Sequence, residues 1–141
     1  MERLSKRIEE IIHNSLKDVI IEGHYASDAV PSSLVSHIIV LRRNPEELKA
    51  EFEARGYDER KVSENMATEI LDVCLVNALE KYGLERVDEI DVTKMSVDDV
   101  VEEVSKLLDG RRKPRMGLVD WLSELDKDGR LDQILSLLSK G

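Results

Sequence analysis

The fold class this sequence predicts is α/β, a small parallel sheet with helices on both faces. Three observations predict it. Two short apolar runs, Asp18–Glu22 and His37–Arg42, each end on a charged side chain, as buried parallel strands do where they open into loops. Stretches with apolar residues at helical spacing lie before, between and after such runs. Clear helix punctuation (Asn44-Pro45-Glu46-Glu47, Gly56, Asp58, Gly83, Ser96) separates the two kinds of segment. Strands that alternate with helices pair in parallel, because each crossover needs a helix-length connection.

The elements follow in order. Leu4, Ile8, Ile11, Ile12 and Leu16 place an amphipathic helix over 2–16. Asp18–Glu22 is the first strand, closed by Gly23, and 23–36 is turn-rich. His37–Arg42 is the second strand. Asn44 caps the next helix, with proline at its first position and acids in its first turn, and Gly56 stops it. Asp58 starts the longest helix, 59–82, with Val62, Met66, Ile70, Cys74, Ala78 and Tyr82 along one face. Residues 87–92 form a third, more polar strand, expected near a sheet edge. Ser96 caps a helix through Leu108. The basic, helix-breaking stretch 111–117 divides a core, 1–110, from a tail, 118–141. The tail suggests one or two short helices around Trp121-Leu122 and Leu131, Ile134, Leu135 and Leu138.

Composition bounds the function. At 141 residues the chain is one domain, or most of one, able to bury about two-thirds of its unfolded surface. Aromatic residues are only 4%, so the core is aliphatic. A net charge of −9 disfavours broad binding to nucleic acid or anionic membrane. The single cysteine, Cys74, allows no internal disulfide, which makes a reducing cytoplasm the expectation. The charged start carries no apolar signal core, and no apolar run approaches the roughly 18 residues of a membrane helix.

Ligands of such sheets sit at the C-terminal ends of the strands, here Glu22-Gly23-His24 and Arg42-Arg43-Asn44. A carboxylate such as Glu22 can hold a metal-bound water or orient a nucleophile, and a solvated strand-end acid is the plainer alternative. His24 can relay a proton, or be an ordinary loop histidine. Arg42, Arg43 and Arg55 suit bidentate phosphate contacts, though surface ion pairing is commoner for any one arginine. Arg111, Arg112, Lys113 and Arg115 are the best basic cluster for an anionic partner. His13, His24 and His37 lack metal-ligand spacing, and no phosphate-binding glycine loop motif is present.

Laid in order, several blocks resemble the adenylate kinase isoenzyme 6 family, in particular its archaeal members. They are Val19–His24, Ile39–Arg42, Glu53–Asn65, Glu69–Val73, Glu89–Thr93 and Gly117–Trp121. The block around Arg55-Gly56-Tyr57-Asp58 is the most specific. The resemblance implies a P-loop nucleoside monophosphate kinase fold, about three strands of which fall in this chain. It implies phosphate transfer from ATP to AMP, weak ATPase activity, Mg²⁺, and a role in small ribosomal subunit maturation beside a small-subunit ribosomal protein, with possible pre-rRNA contact. Glu22 would take the place of the acid that contacts Mg²⁺ through water, and His24 that of a histidine used in hydrolysis. Residues 54–64, with Arg55, Gly56 and Tyr57, would form a lid over the nucleotide, and Arg42 and Lys94 would lie beside it.

The chain departs from the family pattern at Glu51, where relatives often carry arginine, and at Lys94-Met95, where a Gly-basic pair is usual. It also lacks the P-loop and AMP-binding region that precede the Glu22 strand. In this fold class the P-loop strand lies between the Glu22 and Arg42 strands. A late translation start is the first expectation, followed by a separately encoded N-terminal half, or a sheet that pairs the two strands directly. The chain alone is expected to be inactive. The alternative function is a non-catalytic module that contacts a ribosomal protein or pre-rRNA.

Overall fold

A computed structural model describes residues 1–111 and 116–139 of the protein. Its sheet has two parallel strands, β1 (Ile38–Arg42) and β2 (Val87–Asp91), in register from Ile38 beside Val87 to Arg42 beside Asp91. The mixed α/β class and the parallel pairing follow the sequence reading. The count of about three strands does not.

The difference lies at Asp18–Glu22, which forms no strand. The helix α1 (Glu2–Asn14) ends two residues earlier than its spacing suggests, and the chain then runs without ladder partners. Ile20 is 85% exposed. An apolar run becomes a strand only where an adjacent edge accepts its backbone hydrogen bonds. The ladder of β1 is made to β2, so the direct pairing of the two apolar runs does not occur either. A short helix, α2 (Ala26–Ala29), follows, and Ile8 of α1 packs on Ala29 and Val30.

β2 lies at an edge of the two-stranded sheet, as expected, but its polar side chains are not solvent-facing. Asp88 and Glu89 are both buried, one on each face of the strand. Glu89 faces Arg42, while the Asp88 carboxylate lies 2.7 Å from His37 Nε2.

Beyond β1, α3 (Pro45–Ala54) begins as expected, with Asn44 Oδ1 accepting from the Glu46 N–H. Gly56 at φ +77° turns the chain, and Asp58 caps α4 (Glu59–Ile70) by accepting from the Lys61 N–H. The single helix 59–82 is in fact two. It breaks at Leu71-Asp72, where Asp72 adopts φ +56°, and resumes as α5 (Val73–Tyr82). Its apolar stripe is divided accordingly. Val62, Met66 and Ile70 pack in one cluster, and Cys74, Ala78 and Tyr82 in another.

α6 (Val97–Leu108) has a full capping box between Ser96 and Asp99. In the tail, α7 (Trp121–Lys127) and α8 (Leu131–Ser139) supply Trp121, Leu125 and Ile134 to the cluster formed by Phe52, Val62, Met66 and Ile70. The sheet cluster holds Val40, Val87, Ala78 and Tyr82. Arg112, Lys113 and Arg115 of the basic stretch lie outside the described residues. Arg111 pairs with Asp109 at 3.0 Å.

Candidate functional site at the C-terminal end of the sheet

β1 delivers Arg42 to the end of the sheet where parallel α/β folds place ligands. The residue is 1% exposed, and its guanidinium points inward. Nη1 donates to Glu89 Oε2 at 2.9 Å, Nε to Glu69 Oε1 at 3.0 Å, and Nη2 to the Glu69 carbonyl at 3.1 Å and to Asp72 Oδ1. One arginine thus joins β1, β2, the last turn of α4 and the break before α5. A buried guanidinium needs such partners, because an unpaired charge there carries a desolvation cost of several kcal/mol.

The carboxylates extend the network. Glu69 Oε1 also accepts from the Arg43 N–H at 3.1 Å and from the Trp121 indole at 2.7 Å. Glu89 Oε1 accepts from the Gly117 N–H at 2.6 Å. The start of the tail and α7 are therefore tied to the same point as the sheet. Burial pushes the Glu69 carboxyl above its ordinary pKa, against the opposing pull of the indole, Arg42 and the Arg43 N–H. Burial works to lower the pKa of Arg42, but the bond to Asp72 and the charge of Glu69 leave it above the ordinary value.

A second, outer set of charges surrounds this one. Arg43 Nε donates to Glu47 Oε2 at 3.1 Å, and its Nη1 reaches Glu51. Glu51 also takes Arg55, so one carboxylate holds two of the three arginines expected to meet phosphate. Lys94, exposed and at φ +61°, sits just past β2, and its N–H approaches Glu47 Oε2 at 3.4 Å. The Asn44 N–H donates to Thr93 Oγ1 at 2.9 Å, closing the two strand-end loops on each other.

The expected lid corner is well formed. Gly56 occupies the positive-φ turn that only glycine adopts without strain. The Tyr57 ring stacks on Phe52 with centroids 5.3 Å apart, and Lys61 Nζ lies 3.8 Å over the Tyr57 ring. Arg55 and Gly56 are exposed.

Arg42, Lys94 and Arg55 are linked through shared carboxylate contacts of this kind. Glu22 and His24 are not. Both are exposed in the loop ahead of α2, and among the described residues no hydrogen bond or ion pair joins them to the others. Sequence reasoning missed Glu69, Asp72 and Glu89 as partners of Arg42, and Trp121 as a partner of Glu69. The available signal was the pair of adjacent acids in a five-residue strand beside a strand ending in arginine.

A magnesium–nucleotide complex needs a carboxylate or two, plus cationic or backbone donors turned to the phosphates. Glu22 offers one exposed carboxylate, whereas Arg42, Arg43 and Arg55 already donate to acids. Among the described residues no three His, Cys, Asp or Glu side chains converge as metal ligands. Among the described residues, then, the three arginines at this end of the sheet are turned to carboxylates, and no phosphate cradle is formed by them. Cys74 is half-buried, and burial raises its pKa, so it is no activated nucleophile. Among the described residues no helix is long and apolar enough to cross a membrane.

Comparison with known proteins found no matching family model. Individual archaeal proteins do match. A protein of Thermococcus onnurineus named "Putative adenylate kinase" is 43% identical over 111 residues, 79% of this chain and 58% of that protein. One of the same name from Methanocaldococcus jannaschii is 42% identical over 120 residues, 85% of this chain and 62% of its own length. A third, from Thermococcus gammatolerans, is 34% identical over 131 residues, 89% of this chain and 71% of that protein. The chain thus spans less than two-thirds of the length of the first two.

Proposed function

The chain belongs to the adenylate kinase-like family represented by these archaeal relatives, and on that premise we propose that the whole protein transfers a phosphoryl group from ATP to AMP and hydrolyses ATP slowly. The observation that carries this reading is the identity itself, which in the longest of the three matches extends over 89% of the chain. The formed corner at Arg55–Asp58 supports it, as a rigid glycine turn between two helices that could close over a ligand.

In this proposal each residue acts by position or charge. Glu22 would orient a water of the Mg²⁺ shell, and His24 would accept the proton of an attacking water. Arg55, Gly56 and Tyr57 would close the lid, with Arg55 exchanging Glu51 for phosphate. Lys94 would border the base. Arg42 would reach nucleotide only by leaving its three carboxylates, so we give it the holding of Glu69 and Asp72 as its first task. ATP supplies the transferred group and Mg²⁺ screens its charge. The chain described here contributes the flank and lid of that site.

The test is a coupled assay of ATP- and AMP-dependent ADP formation. It is run on the chain alone, and on the chain joined to the segment by which its relatives exceed it. Transfer should be near background in the first case and substantial in the second, and Glu22→Ala and His24→Ala should then lower it. No transfer in the joined protein would refute the reading, and unchanged rates in both variants would refute the two roles.

A second reading draws on the internal pairing of all three arginines. The chain would then be a binding module in small ribosomal subunit maturation in the cytoplasm, contacting a small-subunit ribosomal protein or pre-rRNA. Calorimetry separates the two, since micromolar affinity of the 141-residue chain for Mg-ATP would count against a pure binding module.

A further inference from the structure

We propose that Glu51 is a built-in competitor for phosphate: its carboxylate occupies Arg43 and Arg55 together, and so sets how strongly the strand-end site takes a polyphosphate. The choice of ligand rests on the phosphotransfer reading above. The device itself is regulatory, and its test measures no transfer.

Spacing along the chain creates the arrangement. Glu47, Glu51 and Arg55 recur every fourth residue, so they lie in a row along one face of α3. Arg43, the same interval ahead of Glu47, joins that row from the end of β1. Each oxygen of the Glu51 carboxylate takes a different arginine. Oε2 accepts from Arg43 Nη1, and Oε1 accepts from Arg55 Nη2. Two guanidiniums that share one carboxylate are close enough to share one phosphate, which offers them oxygens of similar reach.

The two arginines also come from the two places where the fold can meet a ligand. Arg43 directly follows β1 at the C-terminal end of the sheet. Arg55 is the last residue before Gly56, the positive-φ residue of the corner between α3 and α4.

The two acids of the row have different work. Glu47 Oε2 accepts from Arg43 Nε at 3.1 Å and from the Lys94 N–H at 3.4 Å, so it ties both strand-end loops and keeps Arg43 in place. Glu51 holds guanidinium tips, is only half-buried, and faces an exposed Arg55. An incoming anion can therefore displace it without touching the buried partners of Arg42. Exposed ion pairs are individually weak, but a tethered carboxylate competes at high effective concentration. The balance turns away singly charged anions and yields to a polyphosphate, which brings more charge and more acceptor oxygens.

Calorimetric titration of the 141-residue chain with inorganic tripolyphosphate at low ionic strength tests this. Glu51→Gln should bind at least about fivefold more tightly than the parent, the scale expected on releasing exposed pairs. Glu53→Gln removes the same charge from the same helix, where Glu53 pairs with Lys49 instead, and should stay within about twofold of the parent. Adding Arg55→Gln to Glu51→Gln should abolish the gain. A Glu51→Gln chain that binds tripolyphosphate no more tightly than the parent, or not at all, would overturn the proposal. An equal gain from Glu53→Gln would overturn it too, by reducing the effect to overall charge. Failure of the phosphotransfer reading would show separately, as no ADP formation in the joined protein, and would leave the tripolyphosphate result standing.

Discussion

Arg42 is the residue on which most of the architecture converges, and its loss should be costly. Replacing it with leucine leaves Glu69 and Glu89 buried without their cation, a kind of change that costs about 3–5 kcal/mol. Denaturant midpoints should fall accordingly, and Arg42→Lys should restore only part, because an ammonium cannot meet three carboxylates in a planar fork. A loss under about 1 kcal/mol would mean the network is not paired in solution. Glu69 yields a pH prediction. Burial raises its pKa in the folded state, so its contribution is fully present below the unfolded value of about 4.3 and is lost as pH rises through the folded one. Glu69→Gln cannot ionise and should therefore gain stability relative to the parent as pH rises across that window. A variant that loses ground instead would show that the bonds from Arg42 and Trp121 outweigh burial.

Among elements, the tail offers the cleanest probe, since α7 begins with the only tryptophan of the chain. Asp120 caps it, accepting from the Ser123 hydroxyl and N–H, and these bonds hold its carboxyl below the ordinary value. That stabilisation is present above the usual aspartate pKa of about 3.9 and is lost as pH falls through the lowered value. Acidification should therefore red-shift Trp121 fluorescence, and Asp120→Ala should show the shifted emission already at neutral pH and lose this acid step. The caps of α3, α4 and α6, the Gly56 turn and both tail helices were legible in the sequence, because caps and spacing are local signals. Two features were not. Asp18–Glu22 has a strand's composition, but pairing depends on an edge elsewhere in space. The break at Asp72 lies inside an unbroken apolar stripe, and it is set by an arginine thirty positions away in the chain. The same distance hid the Arg42 site, whose acids looked solvated while read one segment at a time.

At the scale of the whole molecule, the separation of the tail cluster from the sheet cluster predicts how stability is distributed. Truncation after Gly117 keeps the N–H bond to Glu89 but removes Trp121, Leu125 and Ile134 from Phe52, Val62, Met66 and Ile70. Losing one large buried aromatic alone costs about 3–5 kcal/mol, so the α3–α4 arm should lose most of its hydrogen-exchange protection. The sheet and α5 should keep theirs, because among the described residues Val40, Val87, Ala78 and Tyr82 form a cluster separate from that of Trp121, Leu125 and Ile134. The control is Ile20→Ser. At 85% exposure it should change stability by no more than about 0.5 kcal/mol, as surface substitutions do, whereas a buried strand would lose several times that. Uniform loss of protection on truncation would mean that the tail cluster and the sheet cluster form one cooperative core.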